Sequence, residues 1–313
     1  MRKVGVLYGM ENTFPSALVE RINTRSVEDV RAESLLTGAF RMDRGPDYRV
    51  IIDRISHDIP FYRAYLKNAI LHGSIVINNP FWWSADDKFF NYALAEKVGV
   101  TAPRTVMLPH KEHPDGTTAL SMRNLAYPLN WEEVFDYIGF PAFMKPHLGG
   151  GWRNVYKVEN PEDLFDKYNQ TGDLGMVLQE AIEFTSYFRC YVIGREKVHV
   201  MAYDPRQPHD RRYVDVDPTK SPLYERMVRD ALTLCRALGY DMNTVEFAER
   251  DGVPYAIDFL NPAPDADRDS VGAKNFEWML DAMADLCVAK ALEQAQAASE
   301  HSWSRFLGGS ANV

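Results

Sequence analysis

An α/β unit followed by α+β units is the fold class this sequence predicts, and three observations carry it. The runs "KVGVLYG", "YRVIIDRIS" and "GSIVINNP" are apolar and rich in β-branched residues, with helical stretches between them, which implies a parallel sheet. Further on, "YFRCYVIGREKVHVMAY" and "TVEFAERDGVPYAIDFLN" each hold two runs of period two around a glycine-containing turn, the pattern of antiparallel hairpins. A length of 313 residues exceeds one compact core and points to two or three domains.

Taken in order, Phe14 to Ile22 reads as the helix after the first strand, and Phe61 to His72 as the helix between the next two. The first turn carries only Gly9 and lacks G-x-G-x-x-G, so a dinucleotide site has little support. Ser84 to Val98 follows as an amphipathic helix, with Ser84 as its N-cap and Asp86 and Asp87 in an acidic first turn. "GVTAPRTVML" leads out through Pro103 into a smaller unit that holds a glycine-rich hairpin and a helix from Pro161 to Asn169. A hairpin, a charged loop, a helix from Pro222 to Leu238, a second hairpin and a closing helix from about Asn275 to Ala298 complete the chain. The boundaries read as 1–104, 105–182 and 183–313.

Composition narrows the function classes. A hydrophobic share of 46% with 25% charged residues is that of a globular protein. No apolar run approaches the ~18 residues of a membrane span, and the start moves at once into a strand pattern, so a soluble, cytoplasmic protein without a membrane partner is expected. The net charge of -9 argues against a nucleic-acid partner. Cys190, Cys235 and Cys287 lie far apart in apolar surroundings without C-x-x-C spacing, which reads as buried free thiols.

Four stretches carry candidate chemistry. In "FMKPHLGGGWRNVYKV", Lys145 ends one strand and Gly149 to Asn154 form the tip of a hairpin; the order excludes a P-loop, whose lysine follows its glycines. Such a tip can turn several backbone N–H groups toward one anion, or serve as an ordinary flexible turn. In the last hairpin, a three-residue turn from Asp251 to Val253 would set Glu246 and Asp258 opposite each other on one face, where a cation would relieve their repulsion. With Asn261 nearby, an oxygen-only set suits magnesium or manganese; a two-residue turn would instead shift the register and leave two solvated carboxylates. Arg189 sits mid-strand on the face of Tyr187 and Tyr191, where it needs an anion or a structural ion pair. Lys88, near a helix start, reads on its own as a solvated surface lysine.

The order of "SADDKFFNYALAEKVGVTAPRT", "FPAFMKPHLGGGWRNVYKV", "VLQEAIE", "YFRCYVIG" and "VEFAERDGVPYAIDFLNPAP" resembles the ATP-grasp superfamily, in particular the ribosomal-protein glutamate ligases and their relatives, from about Arg54 to Asp267. The resemblance implies an ATP-grasp fold behind an N-terminal Rossmann-like, pre-ATP-grasp domain, with ATP held between two α+β subdomains. Lys88 and Lys145 would then contact phosphates, and Gly149, Gly150 and Gly151 would close over them. Gln179, Glu180, Ala181 and Ile182 would form the hinge that meets adenine, with Glu183 toward the ribose. Glu246, Asp258 and Asn261 match the family's magnesium ligands, and Arg189 and Lys145 its catalytic cations. The family spaces its last two ligands as E-x-N, whereas "DFLN" sets Asp258 and Asn261 three apart, so a bulge near Phe259 or Leu260 is expected.

The implied activity is an ATP-dependent carboxylate–amine or carboxylate–thiol ligase. A substrate carboxylate attacks the γ-phosphate, and an amine then displaces phosphate from the acylphosphate. A degenerate ATP-binding regulator or scaffold and an ATP-grasp phosphotransferase are the alternatives. Amino acids or peptides are the implied substrates, and family habit implies a homo-oligomer. Arg206, His209, Arg211 and Arg212 form either a carboxylate clamp or a solvated loop. Trp82 and Trp83 either line a pocket or are buried packing.

Overall fold

Four short strands build the first sheet, three of them too apolar to face water on both sides. They are β1 (Arg2–Leu7), β2 (Val30–Ser34), β3 (Val50–Asp53) and β4 (Ile75–Ile77), paired in parallel in the order β2-β1-β3-β4. Parallel neighbours need crossovers, and α1 (Phe14–Thr24) and α2 (Pro60–Leu71) supply two of them. Both helices open with a proline in the first turn, where a missing N–H costs nothing. Leu66 and Ala69 of α2 pack on Ile51 and Val76. The computed structural model describes residues 1–82, 87–149, 153–208, 211–293, 301 and 303.

The described chain divides into two compact units, Met1–Pro80 with the residues from Phe276 onward, and Phe81–Asn275. The second unit opens with α3 (Lys88–Lys97) and contains two antiparallel sheets. In the first of these, β5 (Thr105–Leu108), α4 (Trp131–Ile138), β6 (Ala142–Pro146), β7 (Tyr156–Val158), α5 (Pro161–Tyr168) and β8 (Met176–Glu180) follow in the chain, and the strands pair as β5-β8-β6-β7. Ile138, Leu164 and Tyr168 of the two helices pack on Leu108, Met144 and Leu178 of the strands.

The other sheet, of order β10-β9-β11-β12, comprises β9 (Ser186–Ile193), β10 (Lys197–Ala202), β11 (Met242–Arg250) and β12 (Val253–Asp258), with α6 (Tyr224–Leu238) between its two hairpins. Period-two alternation decides its faces. Cys190, Val192, Val245 and Phe247 meet Met227, Ala231, Leu234 and Cys235 of α6 in one core, which also takes Tyr92 and Ala95 of α3. The opposite face is left for Tyr187, Arg189 and Glu246. Gly239, which caps α6 at φ +79°, is fixed twice over: its backbone is left-handed, and a Cβ there would meet the Trp82 ring at 2.8 Å. Trp82 is therefore a packing residue; Trp83 lies outside the described residues. A short α7 (Arg268–Val271) precedes α8 (Ala273–Leu292), whose Glu277, Asp281 and Asp285 pair with Arg21 and Arg25 of α1.

Several expectations change in detail. Elements not anticipated include β2, α4 and α7. Asp87, rather than Ser84, caps α3 by accepting from Phe89 N and Phe90 N at 3.0 and 3.2 Å; Ser84 and Asp86 lie outside the described residues. All three cysteines are free and buried, and burial pushes their thiols above the ordinary value. Among the described residues no helix is long and apolar enough to cross a membrane.

Candidate active site

The last hairpin turns on two residues, Asp251 and Gly252, at φ 54° and 73°, the shorter of the two turns that the sequence allows. Both central residues in the left-handed region are what a tight hairpin of this hand requires. The ladder then runs Arg250↔Val253, Glu249↔Pro254, Ala248↔Tyr255 and Phe247↔Ala256 before it shifts, so that Glu246 faces Asp258. Ile257 is the extra residue. Without this bulge the two-residue turn would have placed Asp258 opposite Val245 and on the other face. This bulge is not the one expected near Phe259 or Leu260 to realign Asn261 with Asp258, since it lies at Ile257 and β12 ends at Asp258; it sets Asp258 against Glu246 instead.

Asn261 lies three residues beyond the end of β12, so strand alternation does not govern it. Its backbone N–H donates to Asn243 Oδ1 at 3.0 Å, and Asn243, fully buried, donates to Phe259 O at 2.8 Å. The Asn261 side-chain nitrogen is buried without a protein partner. A half-turn of that amide would present its oxygen instead.

Glu246 is held from two sides. Tyr187 OH donates to its Oε2 at 2.6 Å, and Arg189 Nε lies 3.4 Å from its Oε1. Arg189 also donates to Tyr213 OH at 2.8 Å and stacks over the Tyr203 ring, 5.5 Å from its centroid. Burial raises the Glu246 carboxyl above its ordinary value and Asp258 adds to the rise, against the opposing pull of Arg189. A carboxylate so placed gains from a cation. Oxygen donors from Glu246, Asp258 and the unpartnered Asn261 amide fit a hard divalent ion that takes its remaining ligands from water or phosphate. Among the described residues no group of three or more His, Cys, Asp or Glu is placed for a metal, which leaves this pair and the amide as the candidate set.

Two lysines approach the same space. Lys145, at the end of β6, donates to Gln179 Oε1 at 2.9 Å and to Tyr92 OH at 3.0 Å. Lys88, the first residue of α3, donates through its ammonium to the Gly149 carbonyl, and its backbone N–H bonds His147 O at 3.1 Å. The glycine hairpin is confirmed by the β6–β7 pairing, with Met144 opposite Tyr156. Gly149 takes φ +78°, while Gly150 and Gly151 lie outside the described residues.

The stretch from Gln179 to Glu183 links the two sheets, and several of its side chains have protein partners. Gln179 is buried, with Oε1 on Lys145 and Nε2 donating to Thr105 Oγ1 at 2.9 Å. Glu180 accepts from Arg104 Nε at 3.0 Å and Arg250 Nη1 at 2.9 Å. Ala181 N–H bonds Pro141 O at 3.3 Å, Ile182 is buried, and Glu183 is exposed.

A cavity of about 440 Å³ brings Lys88, Lys145, Gly149, Gln179, Glu180, Ile182, Glu246 and Asp258 together. Ala181, Glu183, Arg189 and Asn261 do not line it, Arg189 standing behind Glu246. Phe143, Leu148, Val155 and Ile257 give it an apolar wall. Of the charged loop, Arg212 lines the cavity, Arg206 pairs with Asp204 at 2.8 Å and is exposed, and His209 lies outside the described residues. The residues that sequence reasoning missed are tyrosines. Tyr187 was detectable, two positions from Arg189 on the same strand face, whereas Tyr92 is brought to Lys145 only by the fold.

No family model matches the chain. Among solved structures, the D-alanine–D-alanine ligase of Bacillus anthracis complexed with ATP superposes with a TM-score of 0.65 at 16% identity, over 93% of this chain and 97% of that one. The ATP-grasp ligase PsnB complexed with its minimal precursor gives 0.63 at 13%, over 93% and 99%. The chain has the ATP-grasp fold. A third structure, N5-carboxyaminoimidazole ribonucleotide synthetase from Thermotoga maritima, gives 0.57 at 16%, over 83% and 68%. Among curated proteins, an alignment 142 positions long to the acetyl-CoA carboxylase of Dictyostelium discoideum has 24% identity and covers 42% of this chain and 6% of that protein. Identities this low establish the ATP-grasp fold and leave the activity to be argued from the site.

Proposed function

We propose that the protein is an ATP-dependent carboxylate–amine ligase that forms an amide bond with release of ADP and phosphate. One observation supports the reading most: a bulged hairpin sets Glu246 against Asp258 in the same cavity that receives Lys88 and Lys145. In this reading residues 105–182 and 183–313 form the two subdomains around the nucleotide, behind an N-terminal domain of residues 1–104. Phosphoryl transfer to a carboxylate spreads charge over the transferred oxygens, so it needs placed cations more than an acid or a base.

The chain's own groups divide that work. Lys145, oriented by Gln179 and Tyr92, would meet the phosphates. Lys88, whose ammonium bonds the Gly149 carbonyl, would exchange that partner for phosphate oxygen. Backbone groups of Gln179 to Ile182 would meet the adenine, with Glu183 toward the ribose. Glu246 and Asp258, with Asn261, would hold magnesium or manganese, whose charge neutralises phosphate oxygens. Arg189 favours the ionised form of Glu246 and holds it in place. Gly149 to Gly151 would close over the phosphates and keep water from an acylphosphate. The acid and amine would be amino acids or peptides. A cytoplasmic homo-oligomer completes the proposal.

Incubation with magnesium, ATP and paired panels of acids and amines tests the reading. Amine-dependent ADP release with an amide product is expected. A stable phosphorylated acid or alcohol formed without amine would instead make the protein a phosphotransferase. The position of Asn261 outside both β12 and the cavity lining favours a second reading, an ATP-binding module without turnover. Tight ATP binding with no product from any pair would establish that one.

A further inference from the structure

Tyr92 stands on α3 with its ring buried edge-on against Phe259, the centroids 5.5 Å apart and the planes at 86°. Its hydroxyl makes two bonds to two different sheets of the same unit. It donates to the Ile257 carbonyl at 2.5 Å and accepts from Lys145 Nζ at 3.0 Å. Both bonds fall on residues that matter to the cavity. Ile257 is the inserted residue of the bulge, and a bulge leaves its residue outside the regular ladder, so its carbonyl needs a partner from elsewhere. Lys145 has three ammonium donors; Tyr92 and Gln179 take two of them and leave the third for an anion.

We propose that Tyr92 is a positioning residue that couples the phosphate side of the site to its metal side. A single phenol fixes the lysine on β6 and the bulge that sets Asp258 opposite Glu246. The role suits a neutral hydroxyl, which donates and accepts at once, as neither phenylalanine nor lysine can. A nucleotide drawing on Lys145 and a cation drawing on Asp258 then act on one connected element. The inference rests on the ATP-and-metal reading of the cavity given above.

The test is a set of calorimetric titrations of ATP, with magnesium and with EDTA, into the wild type, Tyr92→Phe, Asp258→Asn and the double variant. Tyr92→Phe keeps the ring and its contact with Phe259 while removing both hydrogen bonds. The expected result is a loss of about 10- to 100-fold in affinity with magnesium, the range found when an outer residue that orients a metal site is removed. That loss is smaller in EDTA and largely absent in the Asp258→Asn background. A merely structural tyrosine would weaken binding equally with and without magnesium, and additively with Asp258→Asn. Either that pattern or wild-type affinity in Tyr92→Phe overturns the proposal. Tyr92→His, which keeps a ring N–H for the Ile257 carbonyl, should fall between the two and carries the same comparison if Tyr92→Phe does not fold. A folded wild type that binds no ATP removes the ATP reading itself, a result distinct from a wild type that binds and a Tyr92 variant that binds equally well.

Discussion

Arg189 and Glu246 are direct register partners on β9 and β11, with Nε 3.4 Å from Oε1 and both side chains at least 85% buried. A buried ion pair of this kind contributes little against an apolar pair of the same shape, but breaking it leaves a buried charge uncompensated. Arg189→Met should therefore destabilise the protein by about 3–5 kcal/mol. Chemical denaturation measures it. A change below about 1 kcal/mol, the size of a surface pair, would show that Glu246 does not depend on Arg189.

The same carboxylate gives a pH dependence. Burial first, and Asp258 after it, raise the Glu246 carboxyl above its ordinary value of 4.5. Its contribution to stability is full below that value and is lost as pH rises through the folded-state value. A cation held by Glu246 needs the ionised form, so binding of magnesium–ATP should release a proton in this window and tighten as pH rises. Calorimetry in two buffers of different ionisation enthalpy reads the proton directly. Glu246→Gln should abolish its release, and an unchanged proton count in that variant would place the cation elsewhere.

Glu180 has the opposite sign. Burial pushes its carboxyl up, but hydrogen bonds from Arg104 and Arg250 outweigh this and hold it below 4.5. Its contribution is therefore present above 4.5 and lost as pH falls through the folded-state value. Glu180→Gln should cost about 1 kcal/mol at neutral pH, a modest figure because the Arg104 side chain is half exposed. Melting curves of the two proteins should converge as pH drops through the folded-state value of Glu180. A gap that stays constant with pH would mean that packing, and not charge, sets the effect.

Much of this architecture was legible in the chain because its elements have clean periods. Both hairpins of the β10-β9-β11-β12 sheet, the glycine hairpin and helices α1, α2, α5 and α6 follow from alternation or from the spacing of apolar residues. β2 escaped because "VRAES" places only Ala32 in the core, so its half-exposed residues carry no strand signal. α4 escaped for a related reason, with Ile138 its one fully buried residue. The site was read in its parts but not in its joinery. Turn length sets register, and the two-residue turn, which alone would part the carboxylates, is offset by a bulge at Ile257 that brings Glu246 and Asp258 together. Period and composition leave the turn length open and do not show the bulge. Tyr92 escaped for a different reason: on its helix it reads as an ordinary core aromatic, and only the tertiary fold gives its hydroxyl Lys145 and Ile257 as partners.

Titration of magnesium–ATP into the wild type, Lys145→Ala and Asp258→Asn, each checked for folding by circular dichroism and melting, tests the central claim most directly. The account predicts that the wild type binds and that Lys145→Ala loses at least an order of magnitude in affinity. Asp258→Asn should lose the magnesium-dependent part while keeping its melting temperature within a few degrees, because Asp258 is an exposed residue at the end of β12. A folded wild type that binds no ATP, or one whose affinity is unchanged in both variants, would contradict the assignment of this cavity as a nucleotide site.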